Sequence, residues 1–258
     1  KMGVHFETDC IVGKTISIEQ LEDDGFKGIF VGSGAGLPNF MDIPGENLIN
    51  IMSSNEYLTR VNLMDAANPT TDTPMNFGKH VMVVGGGNTA MDSCRTAKRL
   101  GADVTIVYRR SETEMPARLE EVKHAKEEGI EFLTLHNPVE YISDENGAVK
   151  QAILEVMRLG EPDTSGRRRP EPTGETKIID VDQVIVAIGV SPNPLVPKSV
   201  EGLELGRKNT IAVNEEMRSS RHDLFAGGDI VRGGATVILA MGDGRRAAEN
   251  MDKQLRGK

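Results

Sequence analysis

Cysteine and aromatic residues are scarce in this chain. Two cysteines, no tryptophan, three tyrosines and seven phenylalanines are spread over 258 residues. Cys10 and Cys94 stand far apart with no C-x-x-C pair, so neither a disulfide framework nor a metal or iron–sulfur site is signalled. A reducing cytoplasm is the expected compartment. Basic residues are also in deficit, 30 Lys and Arg against 39 Asp and Glu, for a net charge of −9. A nucleic-acid groove or an anionic membrane surface needs the opposite excess to neutralise phosphates. Neither partner is expected, and any cation here has to act locally. No apolar run approaches the roughly 18 residues of a membrane span, and Lys1-Met2-Gly3-Val4 lacks the layout of a signal peptide. No Ser-His-Asp or Cys-His arrangement emerges, and the five histidines are scattered without ligand spacing.

What is present is a glycine fingerprint. Val81-Met82-Val83-Val84 reads as an apolar strand, Gly85-Gly86-Gly87-Asn88-Thr89-Ala90 follows the pattern G-x-G-x-x-A, and a helix opens behind it. Gly85 permits the tight turn, Gly87 lets the backbone approach a pyrophosphate, and Ala90 keeps helix and strand in close contact. Bare amides at the helix N-terminus then face the anion. The helix runs to about Leu100 and is closed by Gly101, and Val104 to Tyr108 is the next strand, which completes a βαβ unit. A tight strand–helix turn without a ligand is the alternative.

Which dinucleotide is decided at the end of that second strand. An NAD site places a carboxylate there for the ribose hydroxyls, whereas this chain has Arg109-Arg110, which suit a 2′-phosphate. Arg118, a little further on, can join them. The alternative is three solvated surface arginines. Arg167-Arg168-Arg169 lies among Glu161, Asp163, Glu171 and Glu175 and reads as a solvated, flexible loop. His124 is expected to be exposed, and Cys94, inside the fingerprint helix, to belong to the core. A nucleotide site without a catalytic constellation fits hydride transfer between a nicotinamide and a flavin, where the cofactors carry the chemistry.

Around the fingerprint the chain falls into three segments. In the first, capping-box spacing at Ser17 and Gln20 and again at Ser53 and Glu56 starts two helices. The second helix is expected to reach about Met64, with Tyr57, Leu58, Val61 and Met64 on its buried face. Between the two helices, Gly28 to Gly32 reads as a strand. The polar run Asn68 to Pro74 is the best linker candidate. In the second segment, Leu119, Val122 and Ala125 mark a helix that Gly129 ends, and Ile130 to Thr134 is a strand. Val139 to Ile142 and Val149 to Met157 then form a hairpin around Asn146-Gly147. Val184 to Gly189 closes the segment as a buried strand. The third runs through a loop at Ser191 to Pro194, a strand and acidic turn at Leu224 to Asp229, and a helix from Val237 to about Leu255. The order is that of a doubly wound α/β protein with an antiparallel excursion.

With these residues the chain resembles the NADPH-dependent glutamate synthase small (beta) subunit family, pyridine nucleotide–disulfide-type flavoproteins. The flavin subunit of ferredoxin:NADP oxidoreductases and the amino-terminal half of dihydropyrimidine dehydrogenase are relatives. The matching stretches are Gly34-Ala35-Gly36-Leu37-Pro38, Ile43-Pro44-Gly45-Glu46-Asn47, Val84 to Asp92, Tyr108-Arg109-Arg110 with Met115-Pro116-Ala117, and Gly227-Gly228-Asp229. The resemblance implies a two-dinucleotide-binding-domain flavoprotein, with a Rossmann-like NADP(H) domain (75–190) inserted into a partial FAD domain (1–74 and 191–258). It further implies that Gly228 and Asp229 reach the ribityl–phosphate region of FAD. Ala235, Thr236 and Val237 would approach the isoalloxazine, and the turns holding Gly34 and Gly189 would join the domains near the flavin. The implied activity is electron input: hydride passes from NADPH to FAD and on through iron–sulfur centres to a glutamate synthase large subunit or an equivalent acceptor.

The family's cysteine-rich iron–sulfur region and first FAD fingerprint are missing from this sequence, so the chain resembles the carboxy-terminal part of a longer enzyme. As an isolated polypeptide it is expected to bind NADP(H) but to hold FAD weakly or not at all. A nucleotide-binding module without turnover is therefore the reading from another class.

Overall fold

The computed structural model describes residues 2–162, 166 and 168–257. The chain forms two compact units, Lys1–Leu37 with Val190–Lys258, and Pro38–Gly189. The first unit opens with helix α1 (Ile18–Asp23), which begins at the expected capping box of Ser17 and Gln20, and strand β1 (Ile29–Val31). The two-residue strand β2 (Leu37–Pro38) lies where the chain passes into the second unit.

The second unit is built on five parallel strands in the order β3 (Ile51–Ser53), β10 (Gln183–Val186), β4 (His80–Val84), β5 (Asp103–Tyr108), β6 (Glu131–Thr134). Val81 to Val84 are all buried, as expected of a strand covered on both faces. Alternation divides them. Val81 and Val83 pack with Tyr57 of α2 (Ser54–Leu58), with Ala90, Met91 and Cys94 of α3 (Asn88–Arg99) and with Val122 and Ala125 of α4 (Leu119–Glu127). Met82 and Val84 pack instead with Tyr141, Ala152 and Leu154. Those residues belong to a three-stranded antiparallel sheet, β7 (His136–Ser143), β8 (Val149–Pro162) and β9 (Arg168–Asp180). The expected antiparallel excursion is thus the layer that covers one face of the parallel sheet.

Both helices flanking β5 end in the same way. Beyond α3, Gly101 has φ +98°, its N–H donates to the Lys98 carbonyl, and the Ala102 N–H donates to Ala97. Gly129, Ile130, Lys126 and Ala125 repeat the pattern after α4. This is the Schellman closure, in which a left-handed residue satisfies the last carbonyls.

Three expectations are corrected. The first segment does not extend to residue 74: β3 hydrogen-bonds to β10 as the edge of the fingerprint sheet, so residues 38–74 belong to the second unit. Asn68 to Pro74 is accordingly a tethered loop within that unit, held by Thr73 Oγ1 on the Met64 carbonyl (2.7 Å) and by Arg60 on the Pro74 carbonyl. Met64 itself is exposed. Arg168 and Arg169 are not in a loop but open strand β9, because Arg168 pairs with Pro162 and Pro170 with Leu159. Both remain exposed, while Arg167 and Asp163 of that expectation lie outside the described residues.

Back in the first unit, the chain passes through the two-residue β11 (Val190–Ser191) and the short α5 (Leu195–Ser199) to β12 (Leu224–Ala226), which pairs in parallel with β1. A single turn of helix, α6 (Asp229–Arg232), and the long α7 (Val237–Leu255) complete it. Its core is Ile18, Val31, Val200, Ile211, Leu224, Ala226 and Ile230.

Candidate functional site: a glycine turn and an arginine loop

Strand β4 lies between β5, which follows it in the chain, and β10, which comes much later. The chain therefore winds away from β4 in both directions, and the C-terminal end of β4 is the switch point where open α/β sheets place their ligands. Gly85 to Gly87 occupy that point. The Gly85 N–H donates to the Val107 carbonyl (3.0 Å), and the Ala187 N–H donates to Val84 (2.8 Å), so the turn is braced by both neighbours.

The three glycines do different work. Gly85 has φ +138°, and a Cβ there would lie 2.3 Å from the Ala187 carbonyl oxygen. Gly86, which the pattern leaves unspecified, packs against the Tyr108 ring: a Cβ would meet two ring carbons at 2.8 Å. Gly87 is the N-cap of α3, has no side-chain cap, and a Cβ on it would meet nothing within 4 Å. Open space above an uncapped helix start is the cradle an anion needs. Asn88 and Thr89 are exposed in the first turn, and Ala90 is buried against the sheet as the fingerprint requires.

Arg109 and Arg110 follow β5 directly. Arg109 is exposed, and Arg110 is half-buried with a buried Nε that has no partner. The loop after them folds back over the glycine turn: the Ala117 N–H donates to the Gly86 carbonyl (3.0 Å), and the Arg118 N–H donates to Asn88 Oδ1 (2.9 Å). Arg118, whose side chain is exposed, thus sits at the start of α3. The sequence did not foretell the hydrogen bond that brings it there. Behind α3, Arg95 bonds Glu121 (2.7 Å) and Glu128 (2.9 Å). Burial, with Glu121 alongside, pushes the Asp92 carboxyl up. Burial likewise pushes the Cys94 thiol up to about 12. Its Sγ bonds the Met91 carbonyl (3.1 Å), so it is the core residue expected rather than a nucleophile. His124 is exposed, and no metal-binding group occurs among the described residues.

The other expected residues lie elsewhere. Gly189 (φ +104°) ends the second unit, and the Asn39 N–H donates to its carbonyl (3.0 Å). In the first unit Gly34 has φ +71° and no neighbour to a Cβ. Gly228 (φ +75°) precedes α6, Asp229 Oδ1 accepts from the Ala235 N–H (3.1 Å), and Thr236 caps α7 through the Leu239 N–H. Val237 and Ile238 are 75% and 81% exposed, so α7 begins with a bare apolar turn. Further along α7, Asp243, which no sequence pattern marks, is buried. It accepts from the Gly228 N–H (3.1 Å) and from two Arg232 nitrogens (2.6 Å each).

Residues 3–244 match the family described as pyridine nucleotide-disulphide oxidoreductase. The chain belongs to that family. It is 36% identical to the glutamate synthase [NADPH] small chain of Halomonas elongata over 97% of its own length and 54% of the relative's. It is 37% identical to the NADP(+)-dependent formate dehydrogenase subunit beta of Moorella thermoacetica, over 99% of this chain and 35% of that one. Mycobacterium tuberculosis FprA, solved in complex with NADPH, shares the fold with a TM-score of 0.76 at 19% identity, covering 96% of this chain and 67% of FprA. This member of the family thus spans about half, or less, of the curated relatives it matches. The α/β flavoprotein fold class and the glutamate synthase small-chain resemblance are borne out, and NADP(H) and FAD are the cofactors that the family assignment supports. No described helix is long and apolar enough to cross a membrane.

Proposed function

We propose that the second unit binds NADP(H) and that the chain is the NADPH-oxidising part of an electron-input flavoprotein of the glutamate synthase type. The observation that carries this reading is the arginine loop hydrogen-bonded onto an uncapped glycine turn at the switch point of a parallel sheet. Gly85, Gly87, Asn88, Thr89 and Ala90 form the pyrophosphate cradle. Arg109, Arg110 and Arg118 supply the charge that a 2′-phosphate needs. The orphaned Arg110 Nε fits this role, since a buried donor without a partner carries a desolvation cost that a phosphate oxygen would offset.

FAD bound to this chain would supply a two-electron acceptor for the nicotinamide hydride that is also able to release electrons singly. On this chain Gly228, Asp229, Ala235, Thr236 and Val237 are the residues proposed to hold it: a left-handed turn, a carboxylate and an exposed apolar helix start. Gly34 and Gly189 stand just before the two points where the chain passes between units. The acceptor beyond the flavin is proposed to be an iron–sulfur relay leading to a glutamate synthase large subunit. A ferredoxin:NADP oxidoreductase is the sister reading.

The test is the double variant Arg109→Ala/Arg110→Ala, assayed by direct nucleotide titration. NADPH affinity is expected to fall roughly tenfold to a hundredfold, the range for losing hydrogen bonds to a charged group, with little change for NADH. Equal loss of both nucleotides would sink the 2′-phosphate assignment.

A further inference from the structure

The arginine loop is a built object. The Tyr108 hydroxyl donates to the Glu114 carbonyl (3.0 Å), and the Glu114 carboxylate accepts from the Ser111 N–H (3.2 Å) and hydroxyl (3.0 Å). Lys126 reaches both Glu112 oxygens (2.6 and 2.7 Å) from α4. Arg109 and Arg110 leave this frame at one end and Arg118 at the other. Two bonds join the frame to the glycine turn: Ala117 N–H to the Gly86 carbonyl, and Arg118 N–H to Asn88 Oδ1. The first is backbone to backbone. The second depends on one side chain, 30 residues away in sequence.

We propose that Asn88 is a positioning residue for the 2′-phosphate, in addition to standing in the pyrophosphate turn: by accepting from the Arg118 amide it fixes where the arginine loop lies. This rests on the NADP reading above. Asn88 starts α3, so its backbone belongs to the cradle, while its carboxamide oxygen belongs to the arginine loop. Recognition of the pyrophosphate and of the 2′-phosphate is therefore coupled through one residue. Preference for the 2′-phosphate then depends on a position that a direct-contact account would give to the pyrophosphate alone.

The experiment uses the full chain and adenosine 2′-monophosphate, which has the 2′-phosphate and no pyrophosphate, with adenosine 5′-monophosphate as control. Wild type, Asn88→Ala and Asn88→Asp are compared by calorimetric or NMR titration at moderate ionic strength, where a single remote charge is screened. Asn88→Ala is expected to weaken 2′-AMP about fivefold, the worth of one hydrogen bond. Asn88→Asp keeps an acceptor for the Arg118 amide and is expected to hold 2′-AMP within about twofold of wild type, while NADPH weakens because the added negative charge stands in the first turn of α3, beside the approach of the diphosphate. Unchanged 2′-AMP affinity in Asn88→Ala overturns the inference and leaves the NADP reading standing. So does an Asn88→Asp variant that loses 2′-AMP as fully as the alanine. Wild-type protein that binds 2′-AMP no better than 5′-AMP overturns the NADP reading itself, and the inference with it.

Discussion

Gly85 and Gly87 stand two residues apart and are glycine for opposite reasons, one because there is no room and the other because the room is needed. At Gly85 the obstacle is the Ala187 backbone carbonyl, 2.3 Å from a would-be Cβ, at a φ that L-residues rarely adopt. A backbone oxygen that follows a buried strand cannot move aside. Gly85→Ala is expected to cost about 2–4 kcal/mol and to lower the melting temperature by roughly 5–10 °C, as read by thermal denaturation without ligand. Gly87 has φ −90° and an empty surround, so Gly87→Ala should melt close to wild type. Its methyl would stand where the diphosphate must approach, and NADPH affinity should fall. If Gly87→Ala bound NADPH like wild type, the open space above α3 would not be the phosphate cradle. Two-letter motif logic separates these glycines only in part, because the clash at Gly85 comes from β10, a partner the motif does not contain.

Between elements, Asp243 does for the first unit what Asn88 does for the second: one side chain ties two pieces of backbone. Its side chain is 2% exposed, and it links α7 to Arg232 at the end of α6 and to the Gly228 amide. Hydrogen bonds from Arg232, then from Gly228, hold its carboxyl below the usual carboxylate range despite its burial. A folded value below the unfolded one means that the contribution is complete above about pH 4, the unfolded aspartate value, and is lost as pH falls through the folded value. Asp243→Asn should therefore destabilise the chain by about 1–3 kcal/mol at neutral pH, and the gap to wild type should close on acidification below about pH 4. Melts between pH 3 and 7 measure this, and a gap that stays constant with pH would show that the charge is not what stabilises the turn. Sequence patterns made α7, α3, β5 and the β7–β8 hairpin legible, since each carries its own cap, glycine stop or turn dipeptide. They misplaced residues 38–74, because β3 is a three-residue edge strand whose identity comes from pairing with β10 far along the chain. The bond from the Arg118 amide to Asn88 and the ties made by Asp243 escaped for the same reason: each joins residues far apart in the chain, and no local pattern announces the contact.

On the scale of the molecule, the proposed function serves the two cofactors unequally. Proposed for NADP(H) are a glycine turn, an uncapped helix and three arginines, all within the second unit. Proposed for the flavin end of FAD are Gly228, Asp229 and the apolar start of α7, in the first unit. An adenosine diphosphate arm needs in addition a strand–glycine–helix cradle. The glycine-rich turn after β1, Gly32 to Gly36, leads into the two-residue β2 and not into a helix, so no helix N-terminus stands behind it to receive a phosphate. Losing the contacts of a diphosphate removes charge-assisted bonds that are among the strongest a nucleotide makes. We therefore expect the 258-residue polypeptide to bind NADPH yet retain no flavin through gel filtration, and to show no NADPH oxidation with added FAD and an artificial acceptor. Yellow protein with stoichiometric FAD after the column would overturn this. The Gly228–Asp229 turn and α7 would then hold the flavin with the diphosphate left largely to solvent.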